Sequence, residues 1–340
     1  MVIKVAFVIE KLYRKNILFD KNQTKINIRD NVFDKYYTLY DEFYKYGYEV
    51  CTHDINSIKN SDIVLYKDIP KKLPDEKDIS KSYVILMESP LVSPLNLDKS
   101  THVFFKKIFT WDDELVDNVK YFKINYAFKI PSTIIRNINK KKLCCLIVAN
   151  KQSDYPGELY SERREIIRWF ESTSPSDFDL YGVGWNEYKF TGVKLVRALN
   201  RIPIAKKIMY KYFGDYYPSY RGVVINKIDV MQQYKFAICY ENIENVSGYI
   251  TEKMLDAFFA GCVPIYLGAS NVEKHIPKEC FIDRRNFKNN EELYSYLKAV
   301  NDSEYQEYIG KIEIFLNSDK GKKFSSNSFA RTIVSEIIKD

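Results

Sequence analysis

A tyrosine, a glutamate and a lysine stand where the stretch SGYITEKMLDAFFAGCVPIYLG (247–268) changes from loop to predicted helix: Tyr249, Glu252 and Lys253. The N-terminus of a helix carries a partial positive charge, which favours anions and disfavours an ammonium group. An anionic ligand held at this helix end would interact well with Lys253, while Glu252 could accept hydrogen bonds from sugar hydroxyls. The alternative is that Glu252 favours the dipole, Lys253 points into water and nothing binds.

The elements around these residues are typical of a βαβ unit. The strand YKFAICYE ends at Glu241 and Asn242, and Thr251 is expected to cap the following helix, which Gly261 ends. The next strand is CVPIYLG. Ligands of parallel sheets bind at the carboxyl ends of the strands, so this loop is the predicted anion site.

Strands and helices alternate along both halves of the chain. The first half begins with the strand VIKVAFVI, and the second begins again with the apolar run KKLCCLIVAN. Such alternation predicts parallel sheets covered on both faces. We therefore predict an α/β fold of two Rossmann-like domains that face each other across a cleft and are joined near 131–142. The predicted units are residues 1–135, residues 136–318 and a C-terminal helix in 319–340 that braces the first domain.

The segment YKFAICYENIENVSGYITEKMLDAFFAGCVPIYLGASNVEKHIPKECFIDRRNF (234–287) closely resembles the donor-binding segment of the α1,3/4-fucosyltransferases, glycosyltransferase family ten. The matching elements are YKF, EN, Y-I-T-E-K, A-G-x-V-P-I-Y-L-G and IP-x-x-x-FI. The resemblance implies a bacterial-type member with a GT-B-like fold, in which 136–318 binds a GDP-sugar and 1–135 binds the acceptor. Carried over residue by residue, it makes Asn242, Tyr249, Glu252 and Lys253 candidate donor ligands.

Two further residues follow from weaker resemblance upstream. The helix SERREIIRWF before DFDLYG is similar to the family's arginine-bearing helix and favours Arg163 as the diphosphate ligand, because a guanidinium binds phosphate oxygens bidentately. The motif YVILMESPLVSP resembles the acceptor-side motif and implies that Glu88 is the catalytic base. The alternatives are a solvated helix face for Arg163 and a turn cap or lysine partner for Glu88. The acidic run at 112–114 is interpreted as a helix start.

The implied function is inverting transfer of L-fucose from GDP-fucose to a hydroxyl of an acceptor glycan, by α1,3 linkage to a GlcNAc- or Glc-containing acceptor. We expect no cofactor and no catalytic metal, since Asp177 and Asp179 enter a strand and the three histidines are scattered. Two alternatives remain. One is a GT-B transferase of another nucleotide sugar, and the other is a non-catalytic nucleotide- or glycan-binding protein of the same fold.

The positive charge is concentrated in one segment. The formal net charge of the chain is +7, and residues 187–221 contain eight basic and two acidic side chains. Because the rest of the chain is nearly neutral, we expect no nucleic-acid partner. The segment would suit an anionic membrane surface, an acidic glycan, or a solvated insertion packed on the donor domain. The apolar start is too short to span a membrane, so we expect a cytoplasmic protein with peripheral membrane contact through 187–221 as one interpretation.

Overall fold

A computed structural model describes residues 2–21, 33–136, 140 and 142–340. The first domain is built on a six-stranded parallel sheet of order β2-β1-β3-β4-β5-β6. Its strands are β1 (Lys4–Val8), β2 (Glu49–Thr52), β3 (Ile63–Lys67), β4 (Ser82–Leu86), β5 (Lys107–Thr110) and β6 (Tyr121–Lys123).

The second domain is built on a five-stranded parallel sheet of order β11-β10-β9-β7-β8. Its strands are β7 (Lys142–Ile147), β8 (Phe178–Tyr181), β9 (Tyr234–Tyr240), β10 (Val263–Leu267) and β11 (Ile282–Asp283). Two parallel sheets, each in its own domain, confirm the predicted fold class.

Helices cover both sheets. They are α1 (Asp34–Lys45), α2 (Tyr160–Thr173), α3 (Lys194–Ala198), α4 (Pro203–Phe213), α5 (Lys227–Met231), α6 (Glu252–Phe259), α7 (Val272–His275), α8 (Asn290–Ala299), α9 (Asp302–Asn317), α10 (Asp319–Lys322) and α11 (Ser326–Ile338).

The two faces of the first sheet bury alternate residues of each strand. In β1, Val5 and Phe7 join the core under α1, whereas Ala6 packs into a smaller cluster on the other face. This is the period of two that a pleated strand imposes. Because both faces are covered, the strands are continuously apolar, as expected for a parallel sheet.

The chain returns to the first domain at its C-terminal end. α11 contributes Phe329, Ile333 and Ile337 to the same core as α1. Phe128, just after the first sheet, exchanges backbone hydrogen bonds of 2.9 Å with Phe324 and Ser326. The predicted linker 131–142 includes residues 137–139 and 141, which lie outside the described residues.

The βαβ unit of the second domain forms as predicted. α6 ends at Phe259, and Gly261 follows it with a φ of +59°. A Cβ at Gly261 would lie 1.8 Å from the carbonyl oxygen of Ile135. Glycine is therefore required both for the left-handed backbone and for the close approach of the interdomain segment. β9 and β10 pair in parallel on either side of the helix, so the loop before α6 lies at a carboxyl edge of the sheet.

Among the described residues, no helix combines the length and the apolar character that crossing a membrane requires.

Candidate active site

Loops at the carboxyl ends of the two sheets touch each other. Trp111, which follows β5, packs on Tyr249 with ring centroids 4.8 Å apart. Gly248 has a φ of +79°, and a Cβ there would lie 2.2 Å from the Trp111 carbonyl oxygen. The two loops can approach this closely only because residue 248 has no side chain. The candidate site residues lie around this contact between the domains.

Asp113 joins the two domains by hydrogen bonds. Its carboxylate accepts from Lys123 at 2.6 Å in its own domain, and from Asn271 at 2.7 Å and His275 Nε2 at 2.6 Å in the other. Burial alone would raise the pKa of Asp113, but these donors outweigh it and hold that pKa well below its usual range. The predicted helix start at 112–114 is wrong, because these residues form a turn that faces the second domain.

Glu88 sits on a turn whose backbone is firmly held. Asp68 Oδ1 accepts from the backbone N–H groups of Met87 at 2.7 Å and Glu88 at 2.9 Å. Asn96 donates to the same Asp68 oxygen at 2.8 Å and to the Glu88 carbonyl at 3.0 Å. Within the described part of the chain, the Glu88 carboxylate itself has no hydrogen-bond donor. A fixed backbone therefore presents a carboxylate that is free to accept a proton.

The surroundings of Glu88 raise the pKa of its carboxyl group. Burial raises the pKa of Glu88, and the carboxylates of Asp68 and Glu252 raise it further, whereas Lys67 and Lys151 lower it. Glu252 belongs to the second domain, so the two carboxylates lie close enough across the cleft to interact. A glutamate with a raised pKa is suited to general base catalysis near neutral pH.

The start of α6 is organised by Glu241, a fully buried carboxylate at the end of β9. Glu241 accepts from the Thr251 backbone N–H at 2.8 Å, the Thr251 hydroxyl at 2.7 Å and Lys253 Nζ at 3.1 Å. One alternative is thereby excluded and one expectation is corrected. Lys253 does not point into water, because a buried anion holds it, and Thr251 occupies the N-cap position without capping the helix, because its hydroxyl donates to Glu241.

Glu252 is more open than its neighbours. Its side chain is 39% exposed, and its carboxylate lies 3.6 Å from Lys253 Nζ and 4.0 Å from Lys227 Nζ. Burial would raise the pKa of Glu252, but these two cations and hydrogen bonds at the helix start lower it well below its usual range. Glu252 is therefore an ionised acceptor that a ligand in the cleft could reach.

Arg163 lies inside the second domain with its guanidinium at the end of β9. One nitrogen, Nη2, donates to the carbonyl oxygens of Tyr240 at 2.7 Å and Glu241 at 2.6 Å, and to Asn242 Oδ1 at 3.1 Å. Its buried Nε has no hydrogen-bond partner in the part of the chain that the structure describes. Arg163 thus fixes the strand end and orients Asn242, and still has a donor to offer.

Tyr249 is buried at the domain contact rather than on the open wall of the cleft. It is 1% exposed, packs between Trp111 and Tyr126, and accepts a long hydrogen bond of 3.4 Å from Asn242. Tyr126 in turn donates from its hydroxyl to the Met87 carbonyl, one residue before Glu88. A chain of aromatic contacts therefore connects the donor-side and acceptor-side candidates.

The sequence profile described as "Glycosyltransferase family 10 (fucosyltransferase) C-term" matches residues 137–314, just over half of the chain. The chain belongs to glycosyltransferase family 10. This confirms the resemblance drawn from the motifs in 234–287.

Curated proteins similar to this family 10 chain include an alpha-(1,3)-fucosyltransferase FucT of Helicobacter pylori, 40% identical over 23% of this chain and 16% of its own length. An alpha-(1,4)-fucosyltransferase of Arabidopsis thaliana is 42% identical over 23% of this chain and 20% of its own length. A 4-galactosyl-N-acetylglucosaminide 3-alpha-L-fucosyltransferase 9 of Mus musculus is 37% identical over 52% of this chain and 36% of its own length. The chain thus spans well under half the length of each of these relatives.

Solved structures with the same fold cover the whole family 10 chain. A crystal structure of alpha1,3-fucosyltransferase with GDP superposes with a TM-score of 0.59 at 17% identity, covering 99% of this chain and 90% of the other. A crystal structure of alpha1,3-fucosyltransferase with GDP-fucose superposes with a TM-score of 0.58 at 16% identity, covering 100% of this chain and 91% of the other. An alpha-glucosyltransferase with UDP and DNA gives 0.56 at 12% identity, covering 100% of both chains. These likenesses establish the GT-B architecture and concern the fold alone.

The structure brings all six predicted site residues of this family 10 chain to the region where the domains meet, and adds two lysines that the sequence analysis missed. Lys151, in the loop after β7, interacts electrostatically with the carboxylates of Glu88 and Glu252, which raise its pKa against the effect of burial. Lys35, in α1, is buried near the same two carboxylates, and burial lowers its pKa to about 8. Lys151 directly follows the predicted strand KKLCCLIVAN, so its place at the carboxyl end of a strand could have indicated it as a site residue. No sequence motif includes Lys35.

The paired aspartates of DFD have structural partners. Asp179 accepts from Lys142 at 2.7 Å and from Arg221 and Tyr234 at 2.6 Å. Asp177, at the strand start, accepts from Tyr294 at 2.7 Å. Within the described ranges, no three histidine, cysteine, aspartate or glutamate side chains are grouped so that they could hold a metal ion.

Proposed function

We propose that this chain transfers L-fucose from GDP-fucose to a hydroxyl of an acceptor glycan, with inversion and by α1,3 linkage to a GlcNAc- or Glc-containing acceptor. The observation that carries the proposal is the meeting of Glu88, from the first domain, with Glu252 and its cationic neighbours at the helix start of the second. Family membership supports the choice of sugar, as do the names of the relatives, which include α1,3- and α1,4-fucosyltransferases.

The second domain would bind the donor. In this proposal the diphosphate interacts with Lys253 and with the free Nε of Arg163, Glu252 accepts from the ribose hydroxyls, and Tyr249 lies near the diphosphate or the fucose. Asn242, held by Arg163, would orient the donor through its amide. Lys253 keeps its buried partner Glu241, so the ammonium is fixed at the anion site before the ligand arrives.

The first domain would bind the acceptor and supply the base. The acceptor hydroxyl loses its proton to the Glu88 carboxylate while its oxygen attacks the anomeric carbon of fucose. The bond from that carbon to the phosphate oxygen breaks, and the electron pair leaves with GDP. Cations of Arg163, Lys253 and Lys151 would offset the charge that develops on the diphosphate, so the proposed reaction needs no metal ion.

We also propose a cellular location for the enzyme. Six free thiols suit a reducing compartment such as the cytoplasm. Contact with a membrane surface through 187–221 would bring the enzyme to acceptors carried on lipids.

Donor binding and turnover test the proposal in sequence. Thermal shifts are measured with GDP, GDP-fucose, other GDP-sugars and UDP-sugars, and GDP release is then followed with glycan acceptors. We expect the largest shift with GDP-fucose and acceptor-dependent GDP release in the presence of EDTA. A larger response to UDP-sugars would instead support a transferase of another nucleotide sugar, and binding without turnover would support a non-catalytic protein. No response to GDP or GDP-fucose would overturn the proposal.

A further inference from the structure

The insertion between β8 and β9 contains two helices, α3 and α4, without a fully buried residue. The insertion is nevertheless an ordered structure, because Asn200 exchanges hydrogen bonds of 3.0 and 2.8 Å with the backbone of Phe190. This helix pair therefore leaves most of its large apolar side chains exposed.

α4 exposes an apolar stripe, although its half-buried side is apolar as well. Ile204, Ile208 and Tyr212 follow one another at intervals of four residues, so they form a stripe along the helix. Their exposed fractions are 68%, 53% and 68%. A surface helix normally turns such a stripe towards the core and its charges towards water. Here Ala205, Met209 and Tyr210 are half-buried on the opposite side.

Further large apolar side chains are exposed in the segments that flank α4 in sequence. They are Val193, Leu195, Val196, Leu199, Ile202, Phe213, Tyr216, Val223 and Ile225. An exposed apolar surface on this scale marks an interaction site. We call the surface formed by these residues and the α4 stripe the α4 surface.

Cations accompany the α4 surface. Lys207 and Lys211 stand at the edge of the α4 stripe, and both are exposed. With eight basic and two acidic residues, 187–221 carries a formal charge of +6. Lysine can lay its methylene chain along an apolar surface while its ammonium reaches a polar layer above it. Apolar side chains surrounded by such cations complement a surface that is apolar inside and anionic at its border.

We propose that the α4 surface binds an acidic phospholipid bilayer, with α4 in the plane of the interface. The apolar stripe would enter the boundary between headgroups and acyl chains, and the lysines would contact the lipid phosphates. An acidic glycan would pair with the cations but leave the apolar stripe in water, so charge and apolarity together favour the bilayer. The inference extends the membrane contact proposed above, but it does not depend on fucosyl transfer.

Vesicle co-sedimentation of the full chain tests this inference without donor or acceptor. Vesicles of phosphatidylcholine alone are compared with vesicles that also contain phosphatidylglycerol. We expect binding to the mixed vesicles only, weakened by salt because exposed charges are screened. The triple variant Ile204→Ser/Ile208→Ser/Tyr212→Ser should lose binding by roughly tenfold or more. Lys207→Gln/Lys211→Gln should bind more weakly and with less salt dependence.

A matched control removes equally exposed apolar groups elsewhere. Val103→Ser/Val119→Ser/Ile314→Ser changes three exposed side chains outside the insertion and should bind vesicles as the wild type does. The GDP thermal shift of each variant reports folding and donor binding separately from lipid binding. Equal wild-type binding to both vesicle types, no binding to either, or unchanged binding of the α4 triple variant would overturn the inference. So would self-association of the wild type that the α4 triple variant abolishes.

Discussion

The ammonium of Lys253 lies 3.1 Å from the carboxylate of Glu241, a side chain with no exposed surface. This pair explains why a lysine can begin a helix whose N-terminus is already positive. Glu241 offsets both charges from inside the protein, and it also holds the Thr251 backbone and hydroxyl. The charges at this helix start are therefore balanced within the protein before any ligand binds.

Glu241→Gln should destabilise the folded protein strongly. The variant leaves Lys253, which is largely buried, without its anion, and breaking a buried ion pair costs about 3–5 kcal/mol. Urea titration measures the free energy of unfolding of each variant. Lys235→Gln is the control, because its partner Asp302 is exposed and exposed ion pairs contribute at most about 1 kcal/mol. A loss no greater than that of the control would contradict the structural importance of Glu241.

Glu88→Gln should reduce kcat by about 10²- to 10⁴-fold, since general base catalysis contributes on that scale. Affinity for GDP-fucose should stay near that of the wild type, because Glu88 belongs to the acceptor side. In the wild type, activity should fall as pH decreases through the pKa of Glu88, which lies above the usual glutamate value. Glu76→Gln, at an exposed glutamate of the same domain, is the matched control. Turnover that survives Glu88→Gln would exclude this base.

Periodicity was sufficient to predict the two sheets, the βαβ unit and the termination of α6 just before Gly261, because these depend on local pattern and backbone geometry. The motifs were sufficient to nominate Glu88, Arg163 and the residues at the start of α6. They placed each residue on an element but could not show its partners.

The missed features all depend on contacts between distant segments. Glu241 was seen only as a strand end, although its burial beside Lys253 decides the charge balance there. Asp113 was interpreted within its own segment, whereas its partners Asn271 and His275 lie in the other domain. Lys35 comes from α1, far along the chain from the carboxylates that it faces. Such pairings appear only once the two domains are brought together.

Lys151→Ala should weaken GDP-fucose binding by about tenfold, which corresponds to about 1.4 kcal/mol. Lys151 interacts electrostatically with three of the proposed donor ligands, Arg163, Glu252 and Lys253. The loss should shrink in high salt because the side chain is exposed. Isothermal titration measures the affinity, with Lys72→Ala as an exposed control in the first domain. Equal affinity of the two variants for GDP-fucose would show that Lys151 does not contribute to donor binding.

Asp113→Asn should loosen the contact between the domains. The variant removes the charge that faces Lys123 and His275, while an amide can still bond with Asn271. We expect a lower Tm and a less cooperative unfolding transition in calorimetry, because interdomain contacts couple the two cores. His275→Gln should have a similar effect, and the double variant should lose less than the sum of the two single losses. Fully additive losses would show that these side chains do not act together.

Lys35 should make the stability of the protein depend on alkaline pH. Burial lowers its pKa to about 8 in the folded chain, against the neighbouring carboxylates of Glu252 and Glu88, which raise it. An unfolded lysine has a pKa of about 10.4, so between these two values the unfolded state binds more protons. Stability due to this residue therefore rises with pH across that window and is lowest below it.

The variant Lys35→Met removes this titration while it keeps the length of the side chain. The free energy of unfolding of the wild type, minus that of Lys35→Met, should increase from pH 8 towards pH 10 in urea titrations. Groups that titrate in both proteins cancel in the difference. Lys45→Met, at an exposed end of the same helix, should show no such trend. A difference that stays constant with pH would mean that Lys35 keeps an ordinary pKa in the folded protein.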